Sequence, residues 1–176
     1  MCLVGLVQTV SPWIAKAWRD ELETLVVASP VNAHGIPRPS WWRESLNADI
    51  GWNEKKGIVE LGAETAYYGP PIEPPCPTEG LQRDHQVAWE NALISGLVFR
   101  PSKEREDFYN YSPNVFILDA HTNDEKSDHP PDVWKPADKA KWRQYARDWI
   151  DTKSSWGLTV TPAEKRALAE MLETPT

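Results

Sequence analysis

The chain has 176 residues, enough for one domain, or for a catalytic domain with a sizeable N-terminal extension, and enough to bury a proper core without disulfides. A net charge of −7 and a pI near 5.1 exclude a protein that grips nucleic acid by bulk electrostatics, because that mode leaves a basic footprint. The composition, 40% hydrophobic with ten Trp, is that of a folded protein, and Cys2 and Cys76 are too few thiols for a structural zinc site unless histidine helps.

The run Met1-Cys2-Leu3-Val4-Gly5-Leu6-Val7 is apolar but has no basic start and no small-residue cleavage site, so it is not read as a signal peptide. No stretch is long and apolar enough to span a membrane. A cytoplasmic setting is favoured, with secretion or delivery as a toxin left open. Ser11-Pro12 supplies an N-cap and a first-turn proline, and Ile14, Ala17, Trp18, Leu22, Leu25 and Val26 recur at helical spacing, which predicts an amphipathic helix to about Val27. A turn-rich segment from Ser29 to Pro39 follows, with His34 read as a turn residue. Trp41 to Leu46 reads as a short helix, and Ile58-Val59-Glu60-Leu61 with Thr65-Ala66-Tyr67-Tyr68 as a hairpin.

A Pro-rich connection from Gly69 to Pro77 leads to Gln82-Arg83-Asp84-His85. Gln86 to Ser95 is expected to be helical and to stop at Gly96, a glycine C-cap. Further expectations are a helix near Lys103 to Tyr109 and a buried strand at Val115-Phe116-Ile117-Leu118. A helix with a wide apolar face carries Trp142, Tyr145, Trp149, Ile150 and Trp156, and these aromatics are read as core. A last helix, opened by Thr161-Pro162 and a capping-box Glu164, runs to about Glu173.

Asp84-His85 sets an acceptor-only carboxylate beside an imidazole, a side chain that titrates near neutrality when unperturbed. On a strand such neighbours face opposite ways, so they share one site only at a strand end or bend. The dipeptide alone is weak; its context is stronger. Asn114, a short apolar strand, and then Asn123-x-x-Lys126 near a helix start offer one carbonyl ligand and one nearby ammonium. Oxygen ligands of this kind suit Mg²⁺ or Mn²⁺ and not zinc. His121 and His129 pair with no Cys or second His at ligand spacing, so they read as exposed loop histidines, with an approach of His121 to the metal as the minority reading.

From about residue 82 to 172 the chain resembles the HNH endonucleases found at the C-terminal end of GmrSD modification-dependent restriction enzymes and in small stand-alone bacterial nucleases. One block is Asp84-His85-Gln86-Val87 with Ala92 and Ser95-Gly96; the next runs from Phe108 and Asn110 through Asn114, Ile117-Leu118, Asn123 and Lys126 to Asp128. Pro131-Asp132-Val133-Trp134-Lys135-Pro136 resembles the family's Pro-x-x-Trp-x-Pro. Tyr145, Trp149, Lys153 and Trp156-Gly157-Leu158-Thr159-Val160 with Glu164 resemble its closing pattern.

The resemblance implies an α+β, mostly helical chain: a nuclease domain at 81–176 with a ββα-metal (His-Me finger) core and flanking helices, and an N-terminal extension at 1–80. It implies that Asp84 and Asn123 hold one divalent metal, Mg²⁺ or Mn²⁺, and that His85 is the general base. Asn114 would orient His85 or stabilise its loop. Lys126 would steady developing phosphate charge, with a solvated surface lysine as the alternative. The implied substrate is DNA, with RNA as an alternative, and no membrane is involved. The chain departs from the family at Asp124, where an Arg is usual, and at Ser127 and Ala88. Acidic Asp124-Glu125 motivate a competing reading, a non-catalytic protein that keeps the nuclease scaffold and meets a protein partner through its N-terminal extension.

Overall fold

The computed structural model describes residues 12–33 and 81–175. Its elements are α1 (Pro12–Thr24), β1 (Leu81–His85), α2 (Trp89–Ile94), α3 (Ser102–Tyr109), β2 (Val115–Asp119), α4 (Ala120–Lys126), α5 (Trp142–Ser155) and α6 (Pro162–Leu172). Short 3₁₀ turns lie at Leu97–Phe99, Ser112–Asn114 and Lys139–Lys141. The described residues are mostly helical with a small antiparallel sheet, an α+β architecture. The expected helix at 41–46, the hairpin at 58–68, the Pro-rich connection, His34 and both cysteines fall outside them.

The two strands pair antiparallel, with Leu81 opposite Asp119 and His85 opposite Val115. Helix α4 follows β2 directly because Asp119 caps it: the carboxylate accepts a hydrogen bond from the Thr122 N–H at 2.9 Å. Helix α2 begins at Trp89, later than the expected Gln86. The reason is that Gln86 and Val87 spend their backbone groups elsewhere. The Gln86 N–H donates to the Asn114 carbonyl at 2.9 Å, and the Val87 N–H donates to Asn114 Oδ1 at 2.8 Å. The helix stops where Gly96 takes a left-handed φ of 113°.

The core is built around α5, whose Tyr145, Trp149 and Ile150 are fully buried. Helix α6 opens with the expected capping box, Thr161 and Glu164 each bonding the other's backbone N–H, and buries Leu168 and Met171. Helix α1 lies against α5 and α6 and contributes Leu22 and Leu25 to the core. It ends at Thr24 and not near Val27, because the chain leaves the helix to form a parallel bridge between Val27 and Val160. There the Ala28 N–H donates to the Val160 carbonyl and the Val160 N–H to the Val26 carbonyl, both at 3.0 Å.

A buried ion pair ties α5 to α6. Lys153 Nζ lies 3.6 Å from Glu164, and neither side chain is exposed. The ammonium also donates to the Thr159 carbonyl at 3.0 Å, and Asn91 of α2 donates to Glu164 at 3.0 Å. Burial brings the Lys153 ammonium down to about 8, against the upward pull of Glu164.

The docking of α1 on α5 places Glu21 near Asp151. Burial, reinforced by Glu21 and opposed by Arg147, raises the Asp151 carboxyl from 3.8 to about 6. A folded-state pKa above the unfolded one stabilises below the unfolded value, and that contribution is lost as pH rises through about 6. Asp151→Asn is therefore expected to be more stable than wild type at about pH 7 and equal to it at about pH 4. Thermal unfolding at the two pH values checks this, and an identical difference at both would contradict it.

Candidate functional site

Asp84 and His85 close β1, and their side chains leave the strand in opposite directions, as a pleat requires. Asp84 is buried and meets Lys126 of α4, whose Nζ donates to Oδ1 at 2.8 Å. The same ammonium donates to the His85 carbonyl at 2.9 Å. Lys126 is thus fully buried, not the solvated surface lysine of the alternative reading, and its charge is directed at Asp84 and not outward. A lysine three residues before a left-handed turn reads as a surface residue from sequence; burial comes from α4 folding back over β1.

His85 is half-buried and held by Tyr109, the last residue of α3. Its Nε2 lies 2.7 Å from the Tyr109 carbonyl oxygen, and the two rings stack with centroids 4.6 Å apart. A carbonyl only accepts, so Nε2 carries the proton and, in the neutral ring, the basic lone pair sits on Nδ1. Trp89 braces Tyr109 edge-on at 5.7 Å. Sequence reasoning did not single out Tyr109. Its contribution is a backbone carbonyl, and the only signal for it was its place at a helix end, where carbonyls lack helical partners.

Asn114 stabilises the loop after His85, the second of its two expected roles. It is fully buried, accepting from the Val87 N–H and donating to the Val87 carbonyl at 3.0 Å. Asn123 lies on α4 three positions before Lys126, which places the two on one helix face. It reaches Asp84 through that neighbour. Asn123 lines a cavity of about 490 Å³ with Ala88, Glu90, Asp124, Ser127 and Asp128. Glu90 and Asp128 also line a larger cavity of about 850 Å³ that extends to Asn91, Ser95 and Glu164.

Among the described residues no three His, Cys, Asp or Glu side chains form a group that would hold a metal ion. Asp84 and Asn123 are sparse oxygen donors, and that is the kind of set Mg²⁺ accepts, since it keeps several waters and takes one or two carboxylates. A carboxylate has about four acceptor sites, so the Lys126 contact does not exhaust Asp84. His121 is exposed and lies on α4, not in a loop, with Nε2 3.5 Å from Glu125. His129 is exposed as expected, its Nδ1 3.3 Å from the Glu125 carbonyl. Tyr145 was read only as core. Burial, with Asp84 and Glu164 nearby, pushes its phenol well above the ordinary value, so it stays a neutral neighbour of the Asp84 carboxylate.

Lys126→Met leaves Asp84 buried without its counter-charge and is expected to cost about 3–5 kcal/mol of stability. Asp84→Leu combined with Lys126→Met is expected to recover most of that loss. Urea denaturation of the wild type, single and double variants reads the coupling, and a Lys126→Met protein with an unchanged midpoint would show that the pair carries no stability.

No family model matches the chain, and no solved structure matches it. Over 93 residues it is 39% identical to an uncharacterized secreted protein of Arthroderma benhamiae, an overlap covering 52% of this chain and 46% of the relative. The chain thus spans about half the length of the curated relative it matches.

Proposed function

We propose that the protein is a metal-dependent endonuclease of the HNH type that hydrolyses phosphodiester bonds in DNA, with a ββα-metal core formed by β1, β2 and α4. The observation that carries this reading is the setting of His85. A half-buried imidazole at a strand end, its Nε2 held by a backbone carbonyl, is a ring whose Nδ1 is oriented to take a proton. Asp84, beside it in sequence, is tied to the helix that bears Asn123.

In this reading Asp84 and Asn123 hold one Mg²⁺ or Mn²⁺ through oxygen. When bound, such a cation draws charge from the non-bridging and leaving oxygens of the phosphate. His85 Nδ1 accepts the proton of the attacking water as the new P–O bond forms and the opposite P–O bond breaks. Tyr109 fixes the ring, and Asn114 fixes the turn that follows it. Lys126 acts on Asp84: it holds the carboxylate in place and is a positioning residue.

The exposed Asp124 and the shared acidic wall of Glu90 and Asp128 lower the affinity of the Asn123 cavity for phosphate. This favours the second reading, a non-catalytic protein on the nuclease scaffold. The relative's name, an uncharacterized secreted protein, points away from the cytoplasmic setting expected from sequence, so we place the activity outside the cell. No described helix is long and apolar enough to cross a membrane.

Supercoiled plasmid incubated with the protein and Mg²⁺ or Mn²⁺ is expected to be nicked, nicking is expected to stop with chelator, and His85→Ala is expected to lower the rate by roughly 10²–10⁴-fold. Failure to cleave with any divalent metal, or undiminished cleavage by His85→Ala, would leave the non-catalytic reading standing.

A further inference from the structure

Arg105 differs from the other arginines whose side chains are described. Arg19 pairs with Glu173, Arg100 with Glu104, and Arg147 with Asp148 and Asp151, while Arg143 donates to the Leu172 and Thr174 carbonyls. Arg166 is exposed and solvated. Arg105 is half-buried on α3, and its Nε is sealed from solvent with no acceptor. Burying a guanidinium N–H without a partner is unfavourable, so such a group marks a place where a ligand supplies the acceptor.

Its position says which ligand. Tyr109, the residue that holds His85, lies four positions later, so the two share a face of α3. Helical side chains lean toward the N-terminus, which lays the Tyr109 ring back over the turn that carries Arg105. The other cation of this helix, Lys103, is neutralised by Asp107 and Glu106. A planar guanidinium fork matches two oxygens of a phosphate, which a lysine does not.

We propose that Arg105 is the phosphate-binding residue of the His85 site, gripping the nucleic-acid backbone beside the bond that is cut. This rests on the reading of the site as a nuclease centre, and it gives a chain of net charge −7 a local means of holding a polyanion.

The test is binding without turnover. Full-length His85→Ala protein is titrated in chelator against a fluorescein-labelled duplex DNA oligonucleotide, and anisotropy is read at several salt concentrations. Adding Arg105→Gln is expected to weaken binding about tenfold and to reduce the dependence of log K on log salt by about one. Arg105→Lys is expected to recover part of the affinity, and Arg100→Gln, whose guanidinium is already paired with Glu104, none of the loss. Circular dichroism of each variant keeps misfolding apart from lost contact. Equal affinity and salt slope with Arg105→Gln, or no binding by the His85→Ala parent, would overturn the proposal. Arg105-dependent binding by a protein that does not nick plasmid would retain Arg105 as an anion site and remove the nuclease reading alone.

Discussion

Asp84 and Lys126 meet 2.8 Å apart with both side chains out of water, and the candidate site is organised around that contact. Taking two charges from water is costly, and only close geometry with further hydrogen bonds offsets it. Lys126 has both: one donor on Asp84 and one on the His85 carbonyl. The pair therefore joins the end of β1 to α4 across 42 residues of chain and sets where Asn123, one turn earlier on that helix, sits relative to His85. Asn114 performs the matching task with neutral groups, pinning Val87 from both sides so that the backbone after His85 cannot shift.

The electrostatics around this centre are local. Most described surface cations are matched by carboxylates, as in Lys16 with Asp20, Lys135 with Glu170 and Lys165 with Glu23. Such exposed pairs contribute little to stability, but they cancel the long-range field that would draw a polyanion from a distance. Encounter with nucleic acid then gains little from steering and depends on short-range contacts, whose strength falls off within a Debye length of about 8–10 Å.

What was legible in the sequence is what is decided over a few neighbouring residues. Thr161-Pro162 with Glu164 specifies a helix start, Gly96 a helix stop, and the apolar run after Asn114 a strand, because each is local chemistry. Contacts that need two distant elements were not legible. Lys126 is a lysine between Glu125 and Ser127, and nothing nearby says that it will be buried. Tyr109 acts through a main-chain oxygen, to which side-chain chemistry gives no clue. Val27 continues a helical pattern in sequence, yet pairs with Val160 from the other end of the chain, and tertiary pairing prevails over local propensity.

That pairing has a consequence for the order in which the protein is made. Helix α1 emerges early during synthesis, but its apolar residues Leu22 and Leu25 pack in a core completed by Leu168 and Met171, and its trailing strand needs Val160. On its own the helix has only thirteen residues, about the length at which an isolated helix is marginal in water. It must wait, unpacked, until almost the whole chain has left the ribosome, so folding of this domain is a post-translational event.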